Sequence, residues 1–178
     1  FSGSWLYNVS FDFGAIHDCL ALLKSIRIRG TFVAPADVIN GDLQKRGFRV
    51  LMLPYSKGMS VEEAEVIRKF VKNGGLVIAD NTPGIYSRFG RELKKSRLAD
   101  LFPIMNKTNV ISVGKGHAAY AHEQICGYLK HMSKCNRAGS DVVVSLLKQY
   151  AGITTPIELI DEHDQPRRDT LMPMYLKG

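Results

Sequence analysis

The sequence has no long apolar run and few cysteines, and each of these features argues against a class of protein. No window approaches the roughly 18 uninterrupted apolar residues that a membrane-spanning helix requires, so we expect no membrane partner. The cysteines number three, an odd count that argues against a disulfide framework. Phe1 is followed by neither a basic leader nor the apolar stretch of a signal peptide. We therefore expect a soluble piece of a longer protein, with its targeting segment outside this sequence.

The formal net charge is +7, which raises the question of a nucleic-acid partner. The densest group of cations lies in Arg88–Arg97, where Glu92 interrupts it. Binding to single-stranded nucleic acid needs aromatic side chains for stacking, and only Tyr86 and Phe89 lie near those cations. No nucleic-acid motif accompanies them. The basic segment is therefore interpreted as a solvated loop, and no nucleic-acid partner is expected.

One segment carries the strongest structural signals. Arg49–Leu53 is a short, nearly continuous apolar run, which is typical of a strand buried on both faces of a parallel sheet. Ser60 and Glu63 form a capping box that opens an amphipathic helix, and Gly74-Gly75 ends it. A second buried strand, Leu76–Asp80, follows at once. Two buried strands joined by a helix predict a right-handed βαβ unit.

Weaker signals place further elements on either side of this unit. Phe1–Phe13 is expected to hold the remnant of a first strand, and Ala36–Gly47 is expected to be a short connection. Further helices are predicted at about Ala15–Ile28, His122–Lys134 and Asp141–Tyr150, the last of them capped by Ser140. Further strands are predicted at Thr31–Ala34, Asn109–Val113, His117–Ala121, Pro156–Asp161 and Thr170–Tyr175.

Strands that alternate with helices predict an α/β domain with a mostly parallel sheet, a three-layer sandwich of the flavodoxin-like kind. We assign residues 1–152 to this domain and residues 153–178 to a linker with the first strands of a following β-domain. In such sheets ligands bind beyond the carboxyl ends of the strands. That rule nominates a ligand crevice formed by Tyr55, Ser56, Asn81 and Thr82.

This crevice lacks the residue types that hydrolytic chemistry needs. A nucleophile elbow presents Ser or Cys directly after a strand, but Leu76–Asp80 is followed by Asn81, Thr82 and Pro83. None of the five histidines has a glutamate two residues later, the pairing found in an amidotransferase-type triad. Thr82 would need a nearby base, and the sequence nominates none. We therefore expect no catalytic residue in this chain.

Two histidine–cysteine pairs suggest a metal site at first sight. His122 and Cys126 are four residues apart, and so are His131 and Cys135. On one continuous helix the two pairs would face opposite sides, because each residue advances by about 100°. They could converge on one zinc only at a break, which Gly127 could supply. We expect neither a metal nor any other cofactor.

These motifs together resemble the trimerisation domain of family 42 β-galactosidases, most specifically over Gly41–Pro103. The shared features are a PYS-type turn after a strand, an acidic helix start, an F-V-x-x-G-G segment, an A-D strand end, a PG turn and a D-L-F tag. Here they are Pro54-Tyr55-Ser56, Ser60-Val61-Glu62-Glu63, Phe70-Val71 with Gly74-Gly75, Ala79-Asp80, Pro83-Gly84 and Asp100-Leu101-Phe102. The tail from Gly152 onward is similar to the linker and first strands of the β-domain that follows in that family.

The resemblance implies a fold related to class I glutamine amidotransferases, with the catalytic cysteine, histidine and glutamate absent. It also implies a β-galactosidase-like parent enzyme whose two catalytic carboxylates lie on a separate (β/α)8 barrel. The expected function is non-catalytic oligomerisation and scaffolding, with the barrel, the β-domain and sister protomers as partners. The alternative is a small-molecule-binding or amidase-like module that uses the strand-end crevice.

Overall fold

Helices and strands alternate along most of the chain in the computed structural model, which describes residues 13–134, 138–154, 159–160, 163 and 166–167. In chain order the helices are α1 (Phe13–Ser25), α2 (Pro35–Ile39), α3 (Asp42–Lys45), α4 (Val61–Lys72), α5 (Tyr128–Met132) and α6 (Ala138–Ala151). The strands are β1 (Val50–Leu53), β2 (Gly58–Met59), β3 (Leu76–Ala79), β4 (Tyr86–Ser87), β5 (Asn109–Val113), β6 (Gly116–Tyr120), β7 (Leu159–Ile160) and β8 (Pro166–Arg167). None of the described helices is long and apolar enough to cross a membrane.

The main sheet has four strands in the order β1-β3-β6-β5. β1, β3 and β6 run parallel to one another, whereas β5 pairs with β6 as an antiparallel hairpin. β2 and β4 follow β1 and β3 in the chain and pair with each other as a small parallel sheet. The mostly parallel main sheet confirms the predicted α/β class and is compatible with flavodoxin-like layering.

Apolar side chains cover both faces of the main sheet. On β3, Val77 belongs to a core cluster with Ile67 and Phe70 of α4. The next side chain, Ile78, belongs to a second cluster with Leu22 of α1 and with residues of α6. Successive side chains of a strand point to opposite faces, so α4 covers one face while α1 and α6 cover the other. This is the three-layer arrangement expected from the sequence.

The central helix α4 begins and ends as its sequence predicts. Ser60 Oγ accepts a hydrogen bond from the Glu63 N–H at 3.1 Å, and the Glu63 carboxylate accepts one from the Ser60 N–H at 2.7 Å. Gly74 has φ of 111°, the left-handed region that side chains strain to adopt. Gly75 faces a different constraint, since a Cβ there would lie 2.6 Å from Cδ1 of Phe70. Glycine is therefore needed at the two positions for different reasons.

Several predicted elements differ from the structure. Thr31–Ala34 forms no strand, and the predicted connection Ala36–Gly47 contains α2 and α3. The predicted helix His122–Lys134 is helical only over α5, because Gly127 has φ of 87° and the residues before it form turns. Ser140 does not cap α6 but lies in its first turn, where it is buried.

Local chemistry explains the helix α2 that the sequence analysis missed. Pro35, which directly follows the predicted strand Thr31–Ala34, begins the helix, where its fixed φ is favourable. The Asp37 carboxylate accepts a hydrogen bond from the Ala34 N–H at 2.9 Å. Val38 of α2 and Leu43 of α3 are buried in the same core cluster as α4. The polar residues of this segment are typical of a loop, but burial of these two side chains holds it in helical conformation.

The other predictions hold with shifted boundaries or lie outside the described residues. The first helix and the β5–β6 hairpin are confirmed. In the tail, β7 falls within the predicted strand Pro156–Asp161 but pairs with β8, inside the expected polar turn. The predicted partner Thr170–Tyr175 and residues 1–12 lie outside the described residues. The domain division at residue 152 stays a prediction.

We expect Gly75→Ala to lower the free energy of unfolding by about 1–3 kcal/mol, because the new methyl group would overlap the Phe70 ring. Phe70→Leu should relieve part of this cost, and a double-mutant cycle by urea denaturation measures the coupling. Gly74→Ala is the matched control, since its cost comes from backbone strain with no atom nearer than 3.9 Å. If Gly75→Ala lowers the free energy of unfolding equally in the parent chain and in the Phe70→Leu background, this packing is contradicted.

Candidate functional site

The four predicted crevice residues lie where β1 and β3 end, at one edge of the main sheet. Tyr55 and Asn81 have φ of 50° and 62°, so the chain turns sharply after both strands. The carbonyl of buried Ser56 accepts a hydrogen bond from the Gly84 N–H at 2.9 Å, which ties the two turns together. The Thr82 N–H donates to Asn81 Oδ1 at 3.2 Å. The four residues therefore share one location, and their role in binding stays a prediction.

Beneath this crevice lies the carboxylate of Asp80, whose side chain is fully buried. Its Oδ1 accepts hydrogen bonds from the N–H groups of Asn81 and Glu123, both at 2.7 Å. Its Oδ2 accepts from the N–H groups of Ile125 at 3.0 Å and Cys126 at 2.7 Å. A carboxylate has about four acceptor positions, so these four donors occupy its capacity. Asp80 thus holds the backbone of two loops in place.

A second carboxylate extends the same arrangement along the chain. Asp18 of α1 accepts hydrogen bonds from the N–H groups of Gly127 at 2.6 Å and Leu129 at 3.0 Å. Together with Asp80 it binds the backbone from Glu123 to Leu129. Helix formation in that segment would require its N–H groups to bond within the segment, which explains why the predicted helix is short. Each carboxylate also pairs backbone N–H groups that would otherwise be buried without a hydrogen-bond partner.

The thiol of Cys126 lies beside the crevice, within hydrogen-bonding reach of the Asp80 carboxylate and the Tyr55 N–H. Burial raises its pKa strongly, and the negative charge of Asp80 raises it further. Tyr120 at the end of β6 behaves alike, because burial and then Asp80 raise its pKa to about 12. A nucleophilic cysteine needs the opposite change, a lowered pKa. Cys126 is therefore a protonated, structural thiol at neutral pH.

The position directly after β3 is where a nucleophile elbow would carry its reactive side chain. In the structure Asp80 directly follows β3 and is buried, and Asn81 occupies the sharp turn after it with φ of 62°. The amide of Asn is not a nucleophile of this kind. Within the described residues, no hydrogen bond joins the Thr82 hydroxyl to a histidine or a carboxylate. The strained turn is thus present, but the activated group that such a turn serves is not found among these residues.

The histidine–cysteine pairs do not lie on one helix as the sequence analysis assumed. His122 and Cys126 belong to the turns before α5, and Cys135 lies outside the described residues. The His122 ring stacks on Tyr120 with 6.1 Å between centroids. Its Nδ1 is buried and has no hydrogen-bond partner in the described part of the chain. Among those residues, no group of three or more His, Cys, Asp or Glu side chains is placed to hold a metal.

The basic segment is mostly as predicted. The side chains of Arg88, Arg91, Lys94 and Lys95 are exposed. Arg97 differs, since it is half-buried and its Nε donates to the Met59 carbonyl at 3.0 Å. That bond ties the segment to β2. Four of the five cations are therefore solvated, and one is structural.

Sequence reasoning missed Asp18, Asp80 and Cys126 as parts of this site. One signal was available, because an aspartate ends the apolar strand Leu76–Ala79 where burial is complete. A charged residue in such a place is almost always paired or hydrogen-bonded. Three of the four N–H groups that bind Asp80 could not be predicted, since they lie more than 40 residues further along the chain.

We expect Asp80→Asn to lower the free energy of unfolding by roughly 3 kcal/mol or more, because the amide puts an NH₂ group against backbone donors. Asp18→Asn is the matched control and should cost less, as Asp18 accepts two of these bonds and Asp80 accepts four. Urea denaturation of both variants measures the difference. A smaller cost for Asp80→Asn than for Asp18→Asn would contradict the central role of Asp80.

Stability should fall in alkali because of the buried thiols. Burial, followed by the charges of Asp18 and Asp80, raises the pKa of Cys19 to about 12. Above a pH of about 8.5 the unfolded thiol loses its proton while the folded one keeps it, so folding is favoured less as pH rises. The loss should reach about 1.4 kcal/mol per pH unit for each such thiol. Urea denaturation from pH 7.5 to 10 in reductant tests this, and Cys19→Ala should give a shallower decline than the parent chain. A stability that is constant over this range would refute it.

Comparisons with known proteins add little to this geometry. No family model matches the chain, and a search of curated proteins finds no match. Among solved structures, the chain is similar to an apo exo-carrageenase of glycoside hydrolase family 42 from Bacteroides ovatus, with 15% identity and a TM-score of 0.41. The match covers 72% of this chain and 15% of that one. A likeness at this TM-score does not establish a family or a function for this protein.

Proposed function

We propose that this chain is a non-catalytic oligomerisation and scaffolding module of a β-galactosidase-like glycoside hydrolase. The motif resemblance over Gly41–Pro103 is the origin of the proposal. The observation that carries it is the saturated carboxylate of Asp80, which turns the position of an amidotransferase active site into a backbone anchor. The barrel, the following β-domain and sister protomers are the proposed partners.

The chemistry of the crevice argues against the amidase-like alternative. Hydrolysis through a covalent intermediate requires a nucleophile with a lowered pKa or an adjacent base. Cys126 has a raised pKa, and Asn81 stands at the elbow. A scaffolding module needs none of these groups, and it benefits from a rigid strand-end region. The arrangement therefore supports a structural role.

One surface combines the features of a protomer contact. Phe89 is 72% exposed and Val61, at the first turn of α4, is 46% exposed. Met59 of β2 pairs with Ser87 of β4 in parallel register. The Arg88–Phe89 turn, which follows β4, therefore lies beside the start of α4, which follows β2. Exposed aromatic and Arg side chains are enriched at protein interfaces, which makes this patch the proposed contact with a sister protomer.

The proposal is tested by sedimentation of the full-length parent enzyme. Phe89→Ser combined with Val61→Ser should weaken self-association by about tenfold or more, since both side chains are exposed and should matter little for folding. Leu129→Ser is the matched control, because Leu129 is 49% exposed on α5, at the other face of the sheet. A strictly monomeric parent at micromolar concentration would refute oligomerisation as the function. Equal weakening by the control would refute the proposed patch.

A further inference from the structure

The three parallel strands of the main sheet begin side by side, at the edge opposite the crevice. Their register places Val50 next to Leu76, and Leu76 next to His117. α4 ends just before β3, and near the end of α6 the Tyr150 ring lies 4.6 Å from the His117 ring. We call this edge, with the turns before the strands and the ends of the helices, the amino-end face. Its exposed cations include Arg29, Arg49, Lys69, Lys72, Lys115 and Lys148.

Backbone contacts bring these cations close to one another. The Lys72 carbonyl accepts a hydrogen bond from the Lys115 N–H at 3.0 Å. Arg29 and Arg49 border the same cavity beside β1. Neighbouring strands lie about 4.8 Å apart, so roughly 10 Å separates the backbone before β1 from the backbone before β6. This distance is about one Debye length at roughly 0.1 M salt, so the charges act together on a partner.

The segments that form this face contain no carboxylate. Asp and Glu are absent from residues 24–30, 45–50, 69–76, 113–118 and 146–154. Among the described residues, the cations of this face have no ion-pair partner, whereas Arg68 of α4 binds Asp100 at 2.8 Å. The positive charge of the amino-end face is therefore not neutralised within the described part of the chain.

The helix dipole explains only part of this pattern. Lys69 and Lys72 lie in the last turn of α4, and Lys148 lies in the last turn of α6, where positive charge is favourable. The other cations of the face lie in turns outside the helices and gain no such stabilisation. Helix stability therefore does not account for the charge of the whole face.

The residue types on this face decide between possible partners. Lysine predominates, and lysine is depleted at protein–protein interfaces. Binding of single-stranded nucleic acid needs free aromatic faces for stacking. The two aromatic rings at this edge are half-buried and already engaged, since Tyr150 packs on His117 and Phe48 lies 4.8 Å from the Arg46 guanidinium. A hydrated polyanion that needs neither dry burial nor stacking fits this face better.

We infer that the amino-end face binds a linear anionic polysaccharide, one that carries carboxylate or sulfate groups along its length. The choice of a polysaccharide among polyanions rests on the proposed function, because a module of a glycoside hydrolase works beside carbohydrate. Lysine side chains are flexible point charges, so they adapt to anionic groups at irregular spacing. Such binding would keep the parent enzyme at an acidic polysaccharide and raise the local concentration of substrate.

Fluorescence anisotropy of labelled dextran sulfate and labelled oligogalacturonate, titrated with the 178-residue chain, tests the inference. At least one of the two polymers should bind, and labelled neutral dextran should not. Because the attraction is electrostatic, affinity should fall by about tenfold or more when salt rises from about 0.05 to about 0.3 M. The two polymers distinguish sulfate from carboxylate as the preferred group.

Charge removal locates the binding surface. The triple variant Arg49→Gln, Lys72→Gln and Lys115→Gln should weaken binding by about tenfold or more. The matched control is Arg88→Gln, Lys94→Gln and Lys95→Gln, which removes the same charge from exposed positions of the basic segment. Circular dichroism shows whether both variants are folded. If the first is not, the single variants Lys72→Gln and Lys115→Gln replace it and should each weaken binding by about twofold or more.

Three results would overturn the inference. The first is equal weakening by the two triple variants, which would mean attraction by net charge alone. The second is binding of neither anionic polymer. The third is tighter binding of a single-stranded oligodeoxynucleotide with the same number of charges, which would assign the face to nucleic acid. None of these readouts depends on self-association, so sedimentation of the parent enzyme still tests the proposed function separately.

Discussion

The buried carboxylate of Asp80 is the interaction on which the strand-end region depends. It joins two parts of the chain that are distant in sequence, because its four donors come from the turn after β3 and from the loop after β6. A buried charge without such partners would cost several kcal/mol, so the loop and the carboxylate stabilise each other's burial. Asp18 of α1 accepts hydrogen bonds in the same way from Gly127 and Leu129, which follow the Asp80-bound loop. It thereby joins α1 to the same network.

This network also determines the chemistry of the crevice. Burial raises the pKa values of Cys19, Cys126 and Tyr120, and the negative charge of Asp80 raises all three further. An enzyme of the amidotransferase type needs the reverse arrangement, with positive charge or a base beside its thiol. The carboxylate that holds the loop in place therefore also favours the protonated form of these neighbouring side chains.

Elements specified by neighbouring residues could be predicted from the sequence, and elements specified by distant partners could not. The capping box at Ser60 and the glycines after α4 are local signals, and the structure contains both. The loop before α5 depends on Asp80, and no local pattern could reveal that helix-like residues would bond to a remote carboxylate. The crevice residues Tyr55 and Asn81 were predicted from the rule that ligands bind beyond the carboxyl ends of parallel strands. That rule predicts where a site lies but not which chemical groups it contains.

The sheet is consequently held unequally on its two sides. β3 is fully buried and its carboxyl end is bound to the Asp80 network, whereas β1 pairs with β3 alone among the described strands and borders a cavity. Local opening begins where buried contacts are fewest, so β1 is the strand expected to separate first. The hydrogen bond from the Gly84 N–H to the Ser56 carbonyl, at 2.9 Å, links the turn after β1 directly to the turn after β3. Any contact that holds β1 in place therefore also holds Tyr55 and Ser56 against the turn after β3.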